Sequence, residues 1–467
     1  MTEVSSPPFT PRSIDHPREE LGLFPLLRTM VRNPLETWPQ PLFTEPLFWQ
    51  RFAGRPLLFV MDPALIDEVL VAKAQVFPKA PIIRRTIGPA VGNDSIFTAE
   101  GAHWRWQRRA AAPPFRHATI LGFVPAFGEA AARAASVFTD RAGETVDIAE
   151  LMMATTFDVI VETMLSGAAS FDTRRFGAEI SHYFDSVGWI AALSILRAPS
   201  WVPYPGKRRA RAGNLFLRQE MVRVIAARRA RPGMTPDLLD FLIAAADPET
   251  GRAMTDEELA DNLLTFVVAG HETTALALTW ALWLIGNAPE VEARLLAEIA
   301  EVVGDGPVEA SHVDRLVYAK QVVQEAMRLY PPAPLIPRIA AADVTIGGER
   351  VAVGTPVYVP VYAVHRHQMI WELPQAFDPE RFAPERARAL HRGAFLPFGA
   401  GPRICIGAAF ALAEAVVILA TLMRAIRFIP IGGHHPLPTI RLTLRPDGGM
   451  PMRVERRQTP ISHQTGT

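Results

Sequence analysis

Cysteine, lysine and net charge are all scarce in this sequence. Cys405 is the one cysteine in 467 residues. No disulfide can therefore form within the chain, and zinc or iron–sulfur sites that need several cysteines of one chain are excluded. Four lysines accompany 44 arginines, and basic and acidic residues number 48 each, so the formal net charge is zero. A protein that binds nucleic acid ordinarily shows a basic excess, and we expect no such function.

Long apolar runs are also missing. Residues 1–20 are polar and proline-rich, without the apolar core of a signal peptide. The most apolar interior stretches are 275–289, which is too short for a membrane span, and 408–423, which Glu414 interrupts. We interpret both as buried helices, and we expect a cytoplasmic monomer without a transmembrane anchor.

The composition that remains is that of a folded protein with a large core. Hydrophobic residues make up 49 % of the chain, which excludes disorder for most of it. No linker-like stretch separates two hydrophobic regions. We predict a flexible leader over 1–20, a single domain over 21–455 and a flexible tail over 456–467.

The periodicity of the chain is mainly helical, with small β-elements toward both ends. A capping box at Thr255 and Glu258 predicts a helix of about 30 residues that ends at Gly286 or Asn287. Its centre is apolar on nearly all sides, so we expect it to be buried. We also predict helices over most of 102–231, over 313–330 and over 407–426, a strand in 55–62, a hairpin around residues 347 and 348, and a long loop over 79–100. The fold class is therefore mainly α with small β-sheets.

The cysteine lies in FGAGPRICIG (398–407), immediately before the last predicted helix. The start of a helix offers unpaired N–H groups and a positive dipole end, which stabilise a thiolate. Glycines at 399, 401 and 407 permit tight turns and a close approach of the backbone to a flat group, and Arg403 adds a fixed cation. A lone cysteine can also be inert and buried in a turn, but these neighbours favour a ligating thiolate.

The pattern Phe398-x-x-Gly401-x-Arg403-x-Cys405-x-Gly407 resembles the haem-binding loop of the cytochrome P450 family. The resemblance implies one large domain with a long central helix over a b-type haem. It further implies that Cys405 is the axial thiolate ligand of the iron. Phe398 would then pack beside the thiolate, and Arg403 would pair with a haem propionate.

The middle of the long predicted helix carries AGHETT (269–274), in which a carboxylate interrupts an apolar stretch. Glycine and threonine there predict a local bulge in the helix. Taken alone, Glu272 could be a buried residue that pairs with an arginine. The hexapeptide is similar to the family's oxygen-activation motif, which implies that Thr273 and Glu272 relay protons to bound dioxygen, beside Ala269 at the haem. We expect His271 to be structural.

Glu325-x-x-Arg328 places two opposite charges on one helix face, a spacing that is common on protein surfaces. FDPERF (377–382) follows later in the chain. In the family, such segments form a buried Glu–Arg–Arg cluster, so the resemblance implies that Glu325, Arg328 and Arg381 meet and stabilise the haem pocket.

Trp104 and Arg108 share one face of a predicted helix, where an amphipathic helix with a core tryptophan is the alternative reading. The resemblance implies that this pair and Arg338 contact the haem propionates.

The activity implied by the resemblance is monooxygenation. One oxygen atom of dioxygen enters a C–H or C=C bond of a hydrophobic small molecule, and the other becomes water. Only 62 residues follow Cys405, so electrons are expected from a separate ferredoxin or flavodoxin with its NAD(P)H reductase. A peroxygenase that uses hydrogen peroxide, a non-catalytic haem-binding sensor and a helical scaffold without cofactor remain as alternatives.

By family geometry, the substrate pocket is expected to include 79–100, the region around 178–205, and four residues at the centre of the site: Ala269, Thr273, Leu335 and Ile336. These are mostly apolar, which favours a hydrophobic substrate. Arg84 and Arg85 either bind a substrate carboxylate or form a solvated pair on the predicted loop.

Overall fold

The computed structural model describes residues 7–19, 21–52, 54–165, 173–196, 198–199, 201–230, 237–247 and 250–457. Residues 1–6 and 20 of the predicted leader and 458–467 of the predicted tail lie outside this part. Within the leader, Phe9 packs edge-on against Trp283 with ring centroids 5.6 Å apart. The domain boundaries stay predictions.

Helices make up most of the fold. The α-helices are α1 Leu23–Arg32, α2 Pro63–Asp67, α3 Pro81–Val91, α4 Gly101–Ala111, α5 His117–Gly122, α6 Val124–Asp140, α7 Ile148–Met164, α8 Thr173–Asp185, α9 Val187–Ile195, α10 Lys207–Ala230, α11 Leu238–Ala244, α12 Asp256–Gly286, α13 Pro289–Val303, α14 Ala310–Val313, α15 Val317–Leu329, α16 Val361–Val364, α17 Pro384–Ala389 and α18 Ala408–Ala425.

Short strands form small sheets beside the helices. The strands are β1 Leu47–Phe52, β2 Arg55–Val60, β3 Thr145–Asp147, β4 Ile336–Ile339, β5 Val344–Ile346, β6 Glu349–Val351, β7 Pro356–Val359, β8 Ile426–Pro430, β9 Pro438–Arg441, β10 Thr443–Pro446 and β11 Pro451–Arg456. They pair in the orders β1-β2-β7-β4, β3-β11-β8, β9-β10 and β5-β6. Apart from the parallel pair β2 and β7, these pairings are antiparallel. The fold is mainly α with small sheets, as the sequence predicts.

Helix α12 is the central element, and it packs against α7, α10, α15 and α18. The predicted capping box is present, because Thr255 Oγ1 accepts from the backbone N–H of Glu258 and the Glu258 carboxylate accepts from the N–H of Thr255. Gly270 permits the close approach of α7, since a Cβ there would lie 2.6 Å from Ile160 Cδ1. The 31-residue helix thereby carries the AGHETT hexapeptide into the interior.

Two local predictions are wrong, and the start of one predicted helix differs by a few residues. The stretch 79–100 contains helix α3, because Pro81 starts a helix and buried residues such as Ile87 and Val91 recur at helical spacing despite Gly88 and Pro89. The helix predicted over 313–330 begins at Val317, after the separate short helix α14. The bulge expected in 269–274 is not present, and α12 continues without interruption through the hexapeptide.

Helix α18 is, among the described residues, the one helix whose length and apolarity would suffice to cross a bilayer, and most of it is buried in the protein. Its buried face packs against α6, α12 and α15. This burial agrees with the interpretation of 408–423 as a core helix.

Candidate active site

A cavity of about 360 Å³ lies between the middle of α12 and the loop that precedes α18. Most of its lining is apolar. It comes chiefly from α12, the segment after α15, the loop that precedes α18 and the first turns of α18, with smaller contributions from α3, α4 and α7. Representative apolar residues are Ile83, Phe97, Ile160, Met164, Leu335 and Ile336. The predicted residues Trp104, Arg108, Ala269, Thr273, Arg338, Phe398, Arg403 and Cys405 also line it. One cavity therefore collects residues that are far apart in sequence.

The cysteine loop holds its thiol at the start of α18. The backbone N–H of Cys405 donates to Phe398 O at 2.9 Å, which closes the loop on itself. Gly407 caps α18, and its N–H donates to the sulfur. Helix α18 therefore directs its N-terminal end toward the thiol, as the sequence predicts.

Gly401 is required by the loop's conformation and by its surroundings. Its φ of +70° lies in the left-handed region. A Cβ at this position would lie 1.9 Å from Leu70 O, so the loop could not approach that backbone with any other residue. Gly401 thus packs against the backbone at Leu70 and is not part of the cavity lining.

The thiol of Cys405 is accessible through the cavity and is otherwise surrounded by protein. This burial raises the pKa of the Cys405 thiol, while the Gly407 N–H and the Arg108 guanidinium lower it in part. Both opposing groups stabilise the thiolate that ligation requires.

One end of the cavity carries cations that have few anionic partners. Arg108, Arg338 and Arg403, the residues expected at the haem propionates, line it together, and Lys79 joins them. Glu100, which pairs with Arg403, is the carboxylate that the described residues place beside this group. We call these four basic residues the cationic cluster.

Burial and mutual repulsion dominate the electrostatics of the cationic cluster. The pKa of Lys79 falls to about 7 because of burial and the nearby charges of Arg403, Arg338 and Arg108. The pKa of Arg338 falls to about 10, mainly because of burial. Arg403 also stacks 3.9 Å over the ring of Trp104.

A haem fits the residues that the cavity presents. Its two propionates would supply the anions that the cationic cluster lacks, its ring would meet the apolar walls, and Cys405 would supply the axial sulfur. Lys79 was missed from sequence, because a single lysine in a stretch interpreted as a loop gives no local signal.

Thr273 and Ala269 face the cavity from α12. The Thr273 hydroxyl donates to Ala269 O at 2.8 Å, so its lone pairs remain available to a donor in the cavity. Ala269 is accessible although it lies in the middle of a buried helix, because the cavity lies in front of it.

Glu272 points away from the cavity and does not line it. Its Oε1 accepts hydrogen bonds from Arg445 Nε at 2.7 Å and from the Thr443 hydroxyl, both on β10. Its Oε2 is buried without a partner among the described residues. The arginine partner that the sequence left open for Glu272 is therefore Arg445.

His271 is buried and its Nδ1 donates to Val267 O at 2.7 Å. Its ring packs edge-on against Phe157, with centroids 5.4 Å apart. Burial lowers the pKa of His271, which keeps the imidazole neutral in a structural position.

Glu325, Arg328 and Arg381 come together in the interior. Arg328 donates to both carboxylate oxygens of Glu325, at 2.6 and 2.7 Å, and Arg381 Nε lies 3.4 Å from Glu325 Oε1. Arg328 also donates to three backbone carbonyls, those of His365, Pro374 and Ala376. The cluster therefore links α15 to the segment that leads to the cysteine loop.

The predicted pocket boundaries need correction. No described residue of 178–205 lines the cavity, and Ile160 and Met164 of α7 lie there instead. Arg84 pairs with Asp94, and Arg85 donates to Ala198 O. Neither arginine lines the cavity. Both lie on helix α3 with separate partners, so they do not form the solvated loop pair that was the alternative.

Fold and site together define a helical protein with a cysteine thiol at the lining of an apolar cavity. Residues 22–451 match the family model described as Cytochrome P450. The chain belongs to the cytochrome P450 family, whose members carry haem with a cysteine thiolate ligand.

Two relatives come from Streptomyces melanosporofaciens. Cyclooctatin synthase is 34 % identical over 423 residues, which covers 89 % of this chain and 91 % of the relative. Cyclooctat-9-en-7-ol 5-monooxygenase is 35 % identical over 374 residues, covering 79 % and 80 %. The crystal structure of the cytochrome P450DA heme domain superposes with a TM-score of 0.79 at 27 % identity, covering 96 % of this chain and 99 % of that one. The chain is an oxidoreductase of the monooxygenase class.

Proposed function

We propose that this chain inserts one oxygen atom of dioxygen into a C–H or C=C bond of a hydrophobic small molecule. One observation carries the proposal: Cys405 and Thr273 face the same apolar cavity from different elements, beside the cationic cluster. This arrangement would place the metal ligand, the oxygen-side hydroxyl and the propionate partners around one haem.

Each of these residues has a distinct task toward the cofactor. Cys405 would ligate the iron, with Phe398 packed beside the sulfur. The cationic cluster and Trp104 would hold the propionates. When bound, the haem supplies the activation of dioxygen, and thiolate ligation favours cleavage of the O–O bond.

Protons would reach the site through α12. The Thr273 hydroxyl donates to Ala269 O and can therefore accept a hydrogen bond from water in the cavity. Glu272 immediately precedes Thr273 in the chain. It would exchange protons through its unpartnered Oε2, while Arg445 donates a hydrogen bond to Oε1. Thr273 would thus order water inside the cavity, and Glu272, which does not line the cavity, would supply protons to this water from behind Thr273.

The substrate would be a largely uncharged hydrophobic molecule. Ala269, Thr273, Leu335 and Ile336 present apolar surface to the cavity. The relative named cyclooctat-9-en-7-ol 5-monooxygenase acts, by its name, on an unsaturated alcohol. An alcohol or olefin of this type suits the apolar lining better than an acid held by Arg84 or Arg85, which lie elsewhere.

Electrons would come from a separate ferredoxin or flavodoxin and its NAD(P)H reductase. Helix α4 carries Arg108 next to Cys405 and exposes Arg105 and Arg109 at the surface, and Arg116 is exposed a few residues later. These positive charges would steer an acidic partner to the cysteine side of the molecule. We propose that the chain works as a monomer in the cytoplasm.

The test is a titration of the purified ferric protein with fatty acids, terpenoids, steroids and aromatic acids, followed by the Soret band. We expect terpenoid alcohols and olefins to move the band to shorter wavelength, and product analysis of the responding compound to show one added oxygen. A Soret band that no class moves would contradict a hydrophobic substrate. A stable, folded and colourless protein would contradict the function itself.

A further inference from the structure

The buried carboxylates of the described residues divide into two kinds. Six of the seven have an arginine as ion-pair partner, and Glu414 of α18 has none. The six pairs are Asp67–Arg392, Asp237–Arg228, Glu258–Arg252, Asp261–Arg218, Glu272–Arg445 and Glu325–Arg328. Glu414 is thus the exception in a protein that otherwise neutralises its buried acids with arginine.

Glu414 is 1 % exposed, lines the cavity, and neither of its oxygens has a hydrogen-bond partner that meets normal geometry. An ionised carboxylate without a cation is too costly at such a position. Burial raises the pKa of the Glu414 carboxyl well above its ordinary value, and the Thr274 hydroxyl is the group that opposes this. Burial without a cationic partner therefore favours the neutral acid, which carries an O–H donor.

The hydroxyl of Thr274 is the matching group on α12. Thr265, Thr273 and Thr279 of the same helix each donate to the carbonyl four residues earlier, at 2.7 to 2.8 Å. Thr274 differs, because its Oγ1 is buried without such a bond and lines the cavity with Glu414. One hydrogen bond between the acid and this hydroxyl would satisfy a donor and an acceptor on two buried groups.

The two groups sit on the two helices that define the site. Glu414 lies on the helix that starts beside Cys405, and Thr274 follows Thr273 directly on α12. We propose that Glu414 is a positioning residue of the site, which as a neutral acid holds the Thr274 hydroxyl and thereby fixes Thr273 relative to Cys405. This inference rests on the proposed function, because the positioning matters for oxygen activation.

The chain offers matched variants for a test. Glu414→Gln keeps a donor and an acceptor but cannot ionise, and Glu414→Leu removes both. Thr274→Val removes the partner hydroxyl while the volume is nearly kept. Thr279→Val is the control, because it removes a buried hydroxyl from the same helix that bonds back to Ala275 O.

Infrared difference spectra, wild type minus each variant of the purified ferric holoprotein, test the hydrogen bond between Glu414 and Thr274 without turnover. We expect a carbonyl stretch of a protonated carboxylic acid that is absent in Glu414→Gln and Glu414→Leu. Thr274→Val should move this band to higher frequency, and Thr279→Val should leave it in place. A wild-type spectrum without the band, or a band that Thr274→Val does not move, would overturn the proposal. If Glu414→Leu fails to fold, the band position in Thr274→Val still tests the hydrogen bond.

The positioning effect is measured as hydrogen peroxide released per NADPH consumed, with a surrogate ferredoxin and its reductase. We expect several-fold more peroxide from Glu414→Leu and Thr274→Val, and near wild-type values from Glu414→Gln and Thr279→Val. Equal peroxide yields in all four variants would overturn the positioning role. An infrared band with the expected behaviour in a protein that oxygenates no compound would instead contradict the proposed function alone.

Discussion

The Nε of Arg445 lies 2.7 Å from Glu272 Oε1, so a residue of the β9–β10 hairpin neutralises the carboxylate beside Thr273. The pair joins positions 173 residues apart in the chain, and Thr443 of the same hairpin donates to the same oxygen. The hairpin therefore holds the acid outside the cavity lining, while its second oxygen has no partner among the described residues.

Replacing Arg445 by methionine should lower the free energy of unfolding by about 3 kcal/mol, because Glu272 would be left as an unpaired buried charge. Chemical denaturation of the holoprotein measures this. The double variant Glu272→Gln/Arg445→Met should recover most of the loss, since it removes both charges. A single variant as stable as the wild type would show that the pair does not neutralise a buried charge.

Lys79→Met should weaken haem binding by about tenfold, or about 1.4 kcal/mol, because one cation of the cluster is lost. Haem transfer to excess apomyoglobin measures the affinity. The control is Lys320→Met, at an exposed position, which should not change it.

We also expect the haem affinity to depend on pH through Lys79. The pKa of Lys79 is about 7 in the haem-free protein, and bound carboxylates favour the charged lysine. Haem binding then takes up a proton above this value, so the affinity of the wild type should fall as the pH rises above about 7. Lys79→Met should show a shallower slope, and identical slopes would place Lys79 away from the propionates.

Gly401→Ala should cost more stability than the same change at Gly448, although both glycines have positive φ values, +70° and +78°. An added Cβ at Gly448 meets nothing within 4 Å, whereas at Gly401 it would lie 1.9 Å from Leu70 O. We expect about 1 kcal/mol for Gly448→Ala from backbone strain alone. Gly401→Ala should cost more stability than Gly448→Ala and should also lower the haem content, measured as haem bound per protein. Equal losses of stability and haem in the two variants would contradict the close approach of the cysteine loop to Leu70.

Glu414→Gln should change how stability depends on pH. The folded-state pKa of Glu414 lies well above its ordinary value of 4.5, so the acid binds a proton when the protein folds at neutral pH. Relative to the variant, the wild type should lose stability as the pH rises from about 4.5, by up to about 1.4 kcal/mol per pH unit. Thermal midpoints of both proteins across this range test it, and parallel curves would indicate an ionised Glu414.

Features with local sequence signals were predicted correctly. The capping box of Thr255 and Glu258 defines the start of α12, and the glycines around Cys405 indicate the loop before α18. The cluster of Glu325, Arg328 and Arg381 needed the family resemblance, because a Glu–Arg pair three residues apart is common on any helix surface.

Features that arise from tertiary packing were not predictable in the same way. Helix α3 forms because Ile87 and Val91 bury against the core, which outweighs the local preferences of glycine and proline. Lys79 and Arg445 matter through neighbours that are distant in sequence, and a single chain gives no pattern for such pairs. Glu414 stood out as an interruption of an apolar stretch, but only the fold shows that it lacks an arginine.

The proposed activity depends on Cys405 as the thiolate ligand of a haem in this cavity. The most direct measurement is the absorption spectrum of the reduced protein under carbon monoxide. We predict the red-shifted Soret band of thiolate ligation in the wild type, and its loss in Cys405→Ser at unchanged helical content. A wild-type spectrum with the unshifted band of a neutral ligand, or a red-shifted band that survives Cys405→Ser, would show that the Cys405 thiolate does not ligate the iron.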